Sequence, residues 1–465
     1  MNMINVRRLA VMTFLGAGML SDISAQDFSL QADTLNEARL PAQWDLQSCI
    51  DYALEQNITI RKNRVTAEST QIDVKTAKAA LFPSLSFSTS QQVVNRPYQE
   101  TSSRVSGSEI ISSNSKTSYN GNYGLNASWT IYNGSKRLKT LKQERLNNQV
   151  AELDVATSEN TIKESIAQIY IQILYAAESV RVNENTLQVS IAQRDRGQEL
   201  LNAGSIAKSD FAQLEAQVST DRYQLVTAQA TLQDYKLQLK QLLELDGENE
   251  MNVYLPKLSD ENVLAPLPAK KDVYVSALAI RPEIEASKLN VEASELGIDI
   301  AKSSYFPTVS LSAGIGTNHT SGSDFTFGEQ VKNGWNNSIG LSVSVPIFNN
   351  RQTKSAVQKA KLQRETDMLS LLDEQKALYK TIESLWLDAN SAQQRYAAAN
   401  EKLRSTQISY DLISEQFNLG MKNTVELLTE KNNLLQAQQE QLQAKYMAIL
   451  NTQLLKFYQG DKLTL

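Results

Sequence analysis

The chain has 465 residues, a formal net charge of −5 and a pI near 5.4. Its lysines and arginines are scattered, without the clustered basic patch of a nucleic-acid-binding surface, so no nucleic acid is expected as a partner. One cysteine, Cys49, and one histidine, His319, exclude an intrachain disulfide, a Cys- or His-rich metal site and a Cys/His catalytic pair of ordinary spacing.

Residues 1–25 have the layout of an export signal. Arg7 and Arg8 precede an apolar run at 9–20, and the small residue Ala25 marks the expected cleavage point. That run is too short to span a bilayer, and no other stretch approaches the ~20 apolar residues of a membrane helix. The mature chain is therefore expected outside the cytoplasm without a helical anchor. Cys49 lies within LQSCIDYALEQN, an amphipathic helical pattern, and is expected to pack as a small apolar side chain. It does not follow the signal, so it is not expected to carry a lipid.

The first repeat is read over 26–245. Short helices end at AKAALFPSLSFS, where Phe82-Pro83 switches the apolar period from helical to alternating. Proline bars helix at the residue before it, and the serine-alternating run begins at once. Strands are expected at 84–93 and 121–131, joined by a polar, serine-rich loop. A long helix follows over 135–203, where Gly197 is the only glycine. A helix of that length reaches roughly 100 Å. Ile162, Ile166, Ile169 and Ile173 mark its apolar stripe, as in a helix bundle. Gly204 ends it, and a return helix is expected over 209–245.

Residues 246–271, with three prolines and many acids, read as a non-helical linker. The second repeat, 272–465, writes the same unit again. AKSSYFPTVSLS carries the switch Phe306-Pro307, and strands are expected at 308–317 and 337–347. The glycine-free long helix spans 351–419, with Leu378, Ile382, Leu385 and Ala389 on its stripe. Gly420 ends it, and a return helix covers 424–459. The strands alternate apolar residues with Ser, Gly, Asn and Thr, at a length that spans a bilayer when tilted. Four strands cannot close a barrel, and open edges are not tolerated in lipid, so the pattern demands an oligomer without fixing its number. Nucleophile-elbow, nucleotide-binding and zinc-protease motifs are absent, so neither an enzyme nor a cofactor is expected.

The doubled Phe-Pro switch, the strand exits Asn133-Gly134 and Asn349-Asn350, and the tips Gly204 and Gly420 resemble the TolC-like outer membrane efflux proteins. Each tip glycine is followed six residues later by an acid, Asp210 or Glu426. The resemblance covers essentially all of the mature chain. It implies a mainly α protein with a membrane β-barrel: three chains would form a twelve-stranded barrel in outer-membrane lipid, continued by a helical tunnel in the periplasm. It also implies two partners, a periplasmic adaptor (membrane fusion) protein and an inner-membrane RND- or ABC-type pump. Passage of drugs, small molecules or proteins would follow.

In related channels an acidic ring narrows the periplasmic mouth. Asp411 and Glu415, one helical turn apart and shortly before the second tip, are the candidates here. Gly204, Ser205, Asp210, Gly420, Lys422 and Glu426 are the candidates for adaptor docking. The alternative reading is a coiled-coil scaffold of the envelope that transports nothing.

Overall fold

The computed structural model describes residues 41–98, 102–106, 109–113, 116–246, 251–256, 263–321 and 325–464. The export signal expected at 1–25 lies outside them. The chain divides into two units. In the smaller, Trp44 pairs with Val253 in an isolated parallel bridge, its N–H donating to the Asn252 carbonyl at 2.8 Å. The larger unit, Asp45–Met251 with Leu255–Leu465, holds every element that follows.

Its first half runs α1 (Leu46–Gln56), α2 (Ile58–Ala79), β1 (Ser84–Asn95), β2 (Ser102–Ser106), β3 (Glu109–Ser113), β4 (Thr117–Asn133), α3 (Lys136–Asn202) and α4 (Lys208–Leu242). The second half runs α5 (Lys270–Ile280), α6 (Pro282–Ser303), β5 (Thr308–Thr320), α7 (Phe327–Asn333), β6 (Asn336–Ser344), α8 (Gln352–Asn418) and α9 (Thr424–Gln459). Helices α3 and α8 each have 67 residues, a length of roughly 100 Å.

Several features depart from the sequence reading, among them β4 over Thr117–Asn133 and β5 to Thr320, past the expected 121–131 and 308–317. The first polar loop contains the β2–β3 hairpin, and the second contains α7. A capping box starts α7: the Glu329 N–H donates to Thr326 Oγ1, and Glu329 Oε2 accepts from the Thr326 N–H at 2.8 Å. Strand β6 stops at Ser344, short of the expected 347, because Pro346 has no N–H to continue the ladder.

The four longer strands form one antiparallel sheet in the order β1-β4-β5-β6. Register sorts the side chains into two faces. One carries the rows Leu85–Ala127–Ala313–Ile339 and Trp129–Leu311–Leu341. The other carries Ser86–Asn126–Gly314–Ser338 and Ser84–Ser128–Ser312–Gly340. The apolar face lies open: Ile339 is 83 % exposed and Leu85 70 %. Among the described residues, strands β1 and β6 are each paired on one side only.

Both strand-to-helix exits use two successive left-handed residues, Gly134 and Ser135 in one repeat, Asn350 and Arg351 in the other. At Gly134 a side chain would meet the Ser303 carbonyl oxygen at 2.7 Å, and its own carbonyl accepts from Ser303 Oγ at 2.9 Å. The exit of the first repeat is thereby seated against the end of α6, where the second switch begins.

The helical core follows the stripes. Ile162, Ile166 and Ile173 are buried on α3, while Leu378, Ile382 and Ala389 pack with Val273, Ala277, Ile284 and Leu455. Arg281, at the head of α6, ties three helices: its guanidinium donates to Glu164 at 2.8 Å and lies 3.6 Å from the centre of the Tyr458 ring. Side chains of α8 hold the proline-rich linker, Gln393 donating to the Val263 and Ala265 carbonyls and Trp386 to that of Pro268.

Cys49 is wholly buried in α1, and burial pushes its thiol up to about 12. The thiolate is the reactive species. Maleimide at pH 8 is expected to leave Cys49 unlabelled in the folded protein and to label it fully in denaturant; mass spectrometry reads the difference.

Candidate functional site

The two tips are built alike. After α3, the Gly204 N–H donates to the Leu201 carbonyl at 2.9 Å and the Ser205 N–H to that of Leu200 at 2.8 Å. After α8, Gly420 donates to Phe417 at 2.9 Å and Met421 to Gln416 at 2.8 Å. This paired closure requires a left-handed residue, and the two glycines have φ of +73° and +72°. Among the described residues, nothing beyond the adjoining chain lies within 4 Å of where a side chain would stand on either glycine, so conformation selects glycine there.

Two of the six tip candidates, Asp210 and Glu426, lie in the first turns of the return helices. Asp210 accepts from the Ala207 N–H at 3.4 Å. Glu426 and Asn423 cap each other, and Lys422 donates to Glu426 at 2.6 Å. Lys422 and the Asn423 N–H hold the Glu426 carboxyl below the usual carboxylate range. Leu419, Met421 and Val425 stand exposed beside them.

The gate candidates share a face of α8. Asp411 is exposed and accepts from Gln407 at 2.9 Å, and Glu415 is exposed one turn on. The opposite face of α8, with Tyr410, Ile413 and Phe417, packs inward against Leu200 of α3, Leu214 of α4 and Leu427 of α9. This four-helix layer accounts for Gly197, the glycine inside α3: a Cβ there would collide with the Leu214 side chain.

Next to this layer lies a contact that the sequence reading missed. Lys431 of α9 is 3 % exposed and Asp221 of α4 is 2 % exposed. The Lys431 ammonium donates to Asp221 Oδ2 and to Ser190 Oγ of α3, and the Ser190 hydroxyl donates to the same carboxylate oxygen. Gln217 completes the shell, donating to Asp221 Oδ1 at 2.9 Å. Burial pulls the Lys431 ammonium below the usual lysine range, and the Asp221 carboxylate opposes the shift. Removing one partner of such a pair leaves a bare charge inside, a loss of roughly 3–5 kcal/mol. The sequence holds a signal for it: Leu427, Lys431 and Leu434 follow stripe spacing, with the lysine where an apolar residue belongs.

Long helical hairpins carry a sheet with one apolar and one polar face, unpaired at both edges among the described residues. A family model described as Outer membrane efflux protein matches residues 49–244 and 273–460, and the chain belongs to that family. It is 25 % identical over 294 residues to the outer membrane efflux protein BepC of Brucella suis, covering 63 % of this chain and 61 % of that protein. It is 24 % identical over 341 residues to the outer membrane protein TolC of Escherichia coli, covering 70 % and 66 %. The chain thus spans just under two thirds of the length of these relatives. Among solved structures, that of CusC, described in terms of transmembrane channel formation, superposes with a TM-score of 0.76 at 19 % identity, over 90 % of this chain and 92 % of that one.

Replacing Gly420 by alanine forces a side chain into the left-handed region at a cost of roughly 1–2 kcal/mol. Amide hydrogen exchange of the Gly420→Ala variant is expected to quicken at residues 416–424 and to remain unchanged at the Gly204 tip.

Proposed function

We propose that three copies of this chain close a twelve-stranded barrel in the outer membrane and form the exit duct of a tripartite efflux or type I secretion system. One observation carries the reading: a four-stranded sheet with an exposed apolar face and two unpaired edges. In hydrocarbon every backbone donor and acceptor needs a partner, so such a sheet is stable only when neighbouring copies complete it. The Ser, Gly and Asn face then lines a water-filled lumen, and the apolar face meets lipid.

Transport on this reading is gated passage. Cargo moves through the lumen, and energy comes from an inner-membrane RND- or ABC-type pump through a periplasmic adaptor. The adaptor docks at the tips, on Gly204, Ser205, Asp210, Gly420, Lys422 and Glu426, where capped backbone and exposed Leu419, Met421 and Val425 offer a fixed surface. Asp411 and Glu415 face the lumen near its periplasmic mouth. Symmetry turns Asp411 into a ring of like charges that draws cations.

An arginine on the lipid face costs roughly 2–4 kcal/mol at the midplane. Leu341→Arg is therefore expected to abolish heat-modifiable oligomers in purified outer membrane, whereas Ser342→Thr, on the opposite face, leaves them intact. Equal behaviour of the two variants would refute the assignment of faces. In planar bilayers, Asp411→Ala is expected to lower cation selectivity and to weaken block by divalent cations. Unchanged selectivity and block would remove Asp411 from the lumen.

A further inference from the structure

Strands β1, β4, β5 and β6 contain no Lys, Arg, Asp or Glu. Register gathers the starts of β1 and β5 and the ends of β4 and β6 at one end of the sheet, with Ser84 opposite Ser128 and Thr308 opposite both Asn133 and Ser344. The four segments that adjoin this end, 75–83, 134–142, 299–307 and 345–354, hold nine lysines and arginines and one acid, Asp299. They are spread along the sequence, and the fold brings them to one level. The segments beyond the other end, 96–116 and 321–335, hold four basic and four acidic residues. The excess of positive charge is thus confined to the helical end of a charge-free sheet.

Bonds within the chain leave much of this charge unmatched. Asp299 takes Lys302 at 3.1 Å and Lys139 at 3.9 Å, and Lys142 pairs with Glu292 at 3.4 Å. Among the described residues, Lys78, Lys136, Arg351 and Lys354 are exposed and form no ion pair. Helix-end electrostatics accounts for Lys78 and Lys302, in the last turns of α2 and α6, where a helix is negative. It runs against Lys136 and Lys354. They stand in the first turns of α3 and α8, the positive ends, where no acid is present. Negative charge from outside the chain reverses that cost.

The band is continuous with the apolar face. Trp129, on that face, donates to the Leu81 carbonyl at 2.8 Å, and the neighbouring Ala80 carbonyl accepts from Arg137 at 2.6 Å. Phe82, Phe306 and Phe348 stand exposed in the same segments. Exposed aromatic rings beside lysines on long apolar stems suit the boundary between hydrocarbon and headgroups. We infer, on the basis of the proposed barrel, that this basic band docks on the phosphates of acidic phospholipids in the leaflet on the helical side of the membrane, so that the protein takes phosphatidylglycerol in preference to a zwitterionic lipid. Lipid covers the apolar face up to the level where the band begins, and the unmatched lysines meet the headgroups at that level.

The test uses the full-length oligomer in nanodiscs of phosphatidylcholine and phosphatidylglycerol in equal amounts, and native mass spectrometry counts the lipids it retains. Phosphatidylglycerol is expected in about tenfold excess, since each lysine near an acidic surface is worth about fivefold. The triple variant Lys78→Gln/Lys136→Gln/Lys354→Gln breaks no ion pair within the chain and is expected to abolish the excess. Arginine at the same three positions is expected to keep it. Glutamine at Lys271, Lys376 and Lys380, exposed on helices away from the sheet, is also expected to keep it. Equal retention of the two lipids by the native oligomer, or an equal loss in the second glutamine variant, would overturn the proposal.

A second arm reads the side of the wall on which the lysines lie. In planar bilayers of phosphatidylcholine alone, the Lys78→Gln/Lys136→Gln/Lys354→Gln variant is expected to keep the native ion selectivity. A shift toward cations would place these lysines in the lumen and overturn the proposal. The two readings fail differently. An oligomer without lipid preference overturns the band alone, whereas absence of any oligomer in either lipid overturns the barrel and the band with it.

Discussion

The unpaired edges of one small sheet govern the rest of the molecule. A strand edge in hydrocarbon leaves N–H and C=O groups without water or protein to bond, and the sheet of β1, β4, β5 and β6 has two unpaired edges among the described residues. The same sheet turns Leu85, Ile339 and Leu341 outward, and among the described residues nothing covers them. One chain cannot remedy either defect. In the proposed trimer both are remedied, as β1 of one copy pairs with β6 of the next and lipid covers the apolar face. The strand count per chain thus sets the form of the assembly.

The helices inherit that arrangement. Each strand leads directly from or into a helix, so the sheet sets where the hairpins start. The left-handed pairs Gly134-Ser135 and Asn350-Arg351 turn the chain from strand to helix in the same way in both repeats. Seating Gly134 against Ser303 couples the two turns. At the far end the twin glycine closures reverse the chain with open space around both glycines. Between these ends the seam within one chain is filled with apolar side chains and bridged by polar ones, while the outward faces of α4 and α8 carry exposed Tyr223, Val226, Ile408 and Leu412. The chain is internally complete in its hairpins and incomplete in its sheet.

Much of this was legible in the sequence because it is local and repeated. Phe-Pro stops a helix wherever it stands, glycine-poor blocks rich in helix formers make long helices, and a doubled order of weak motifs is a strong one. The sheet order was not legible, since which strands become neighbours depends on closure in three dimensions. The β2–β3 hairpin and α7 lie in segments whose polar composition masks short elements, although Thr326 and Glu329 do spell a capping box. Of the candidate site, the tips could be read from Gly204 and Gly420. The Lys431–Asp221 pair could not, because its halves lie 210 residues apart on helices whose mutual register only packing decides. A lysine at stripe spacing was the visible half of that signal.

The most direct measurement of the central claim is disulfide scanning between the two edge strands. Cysteines at Ser84, Ser86 or Ser88 of β1 are paired with cysteines at Ser338, Ser342 or Ser344 of β6, in membranes and with Cys49→Ala. The account predicts that at least one pair yields covalent dimers and trimers and nothing larger, because the ring closes at three. A crosslink confined to single chains, or a ladder running past three, would contradict it.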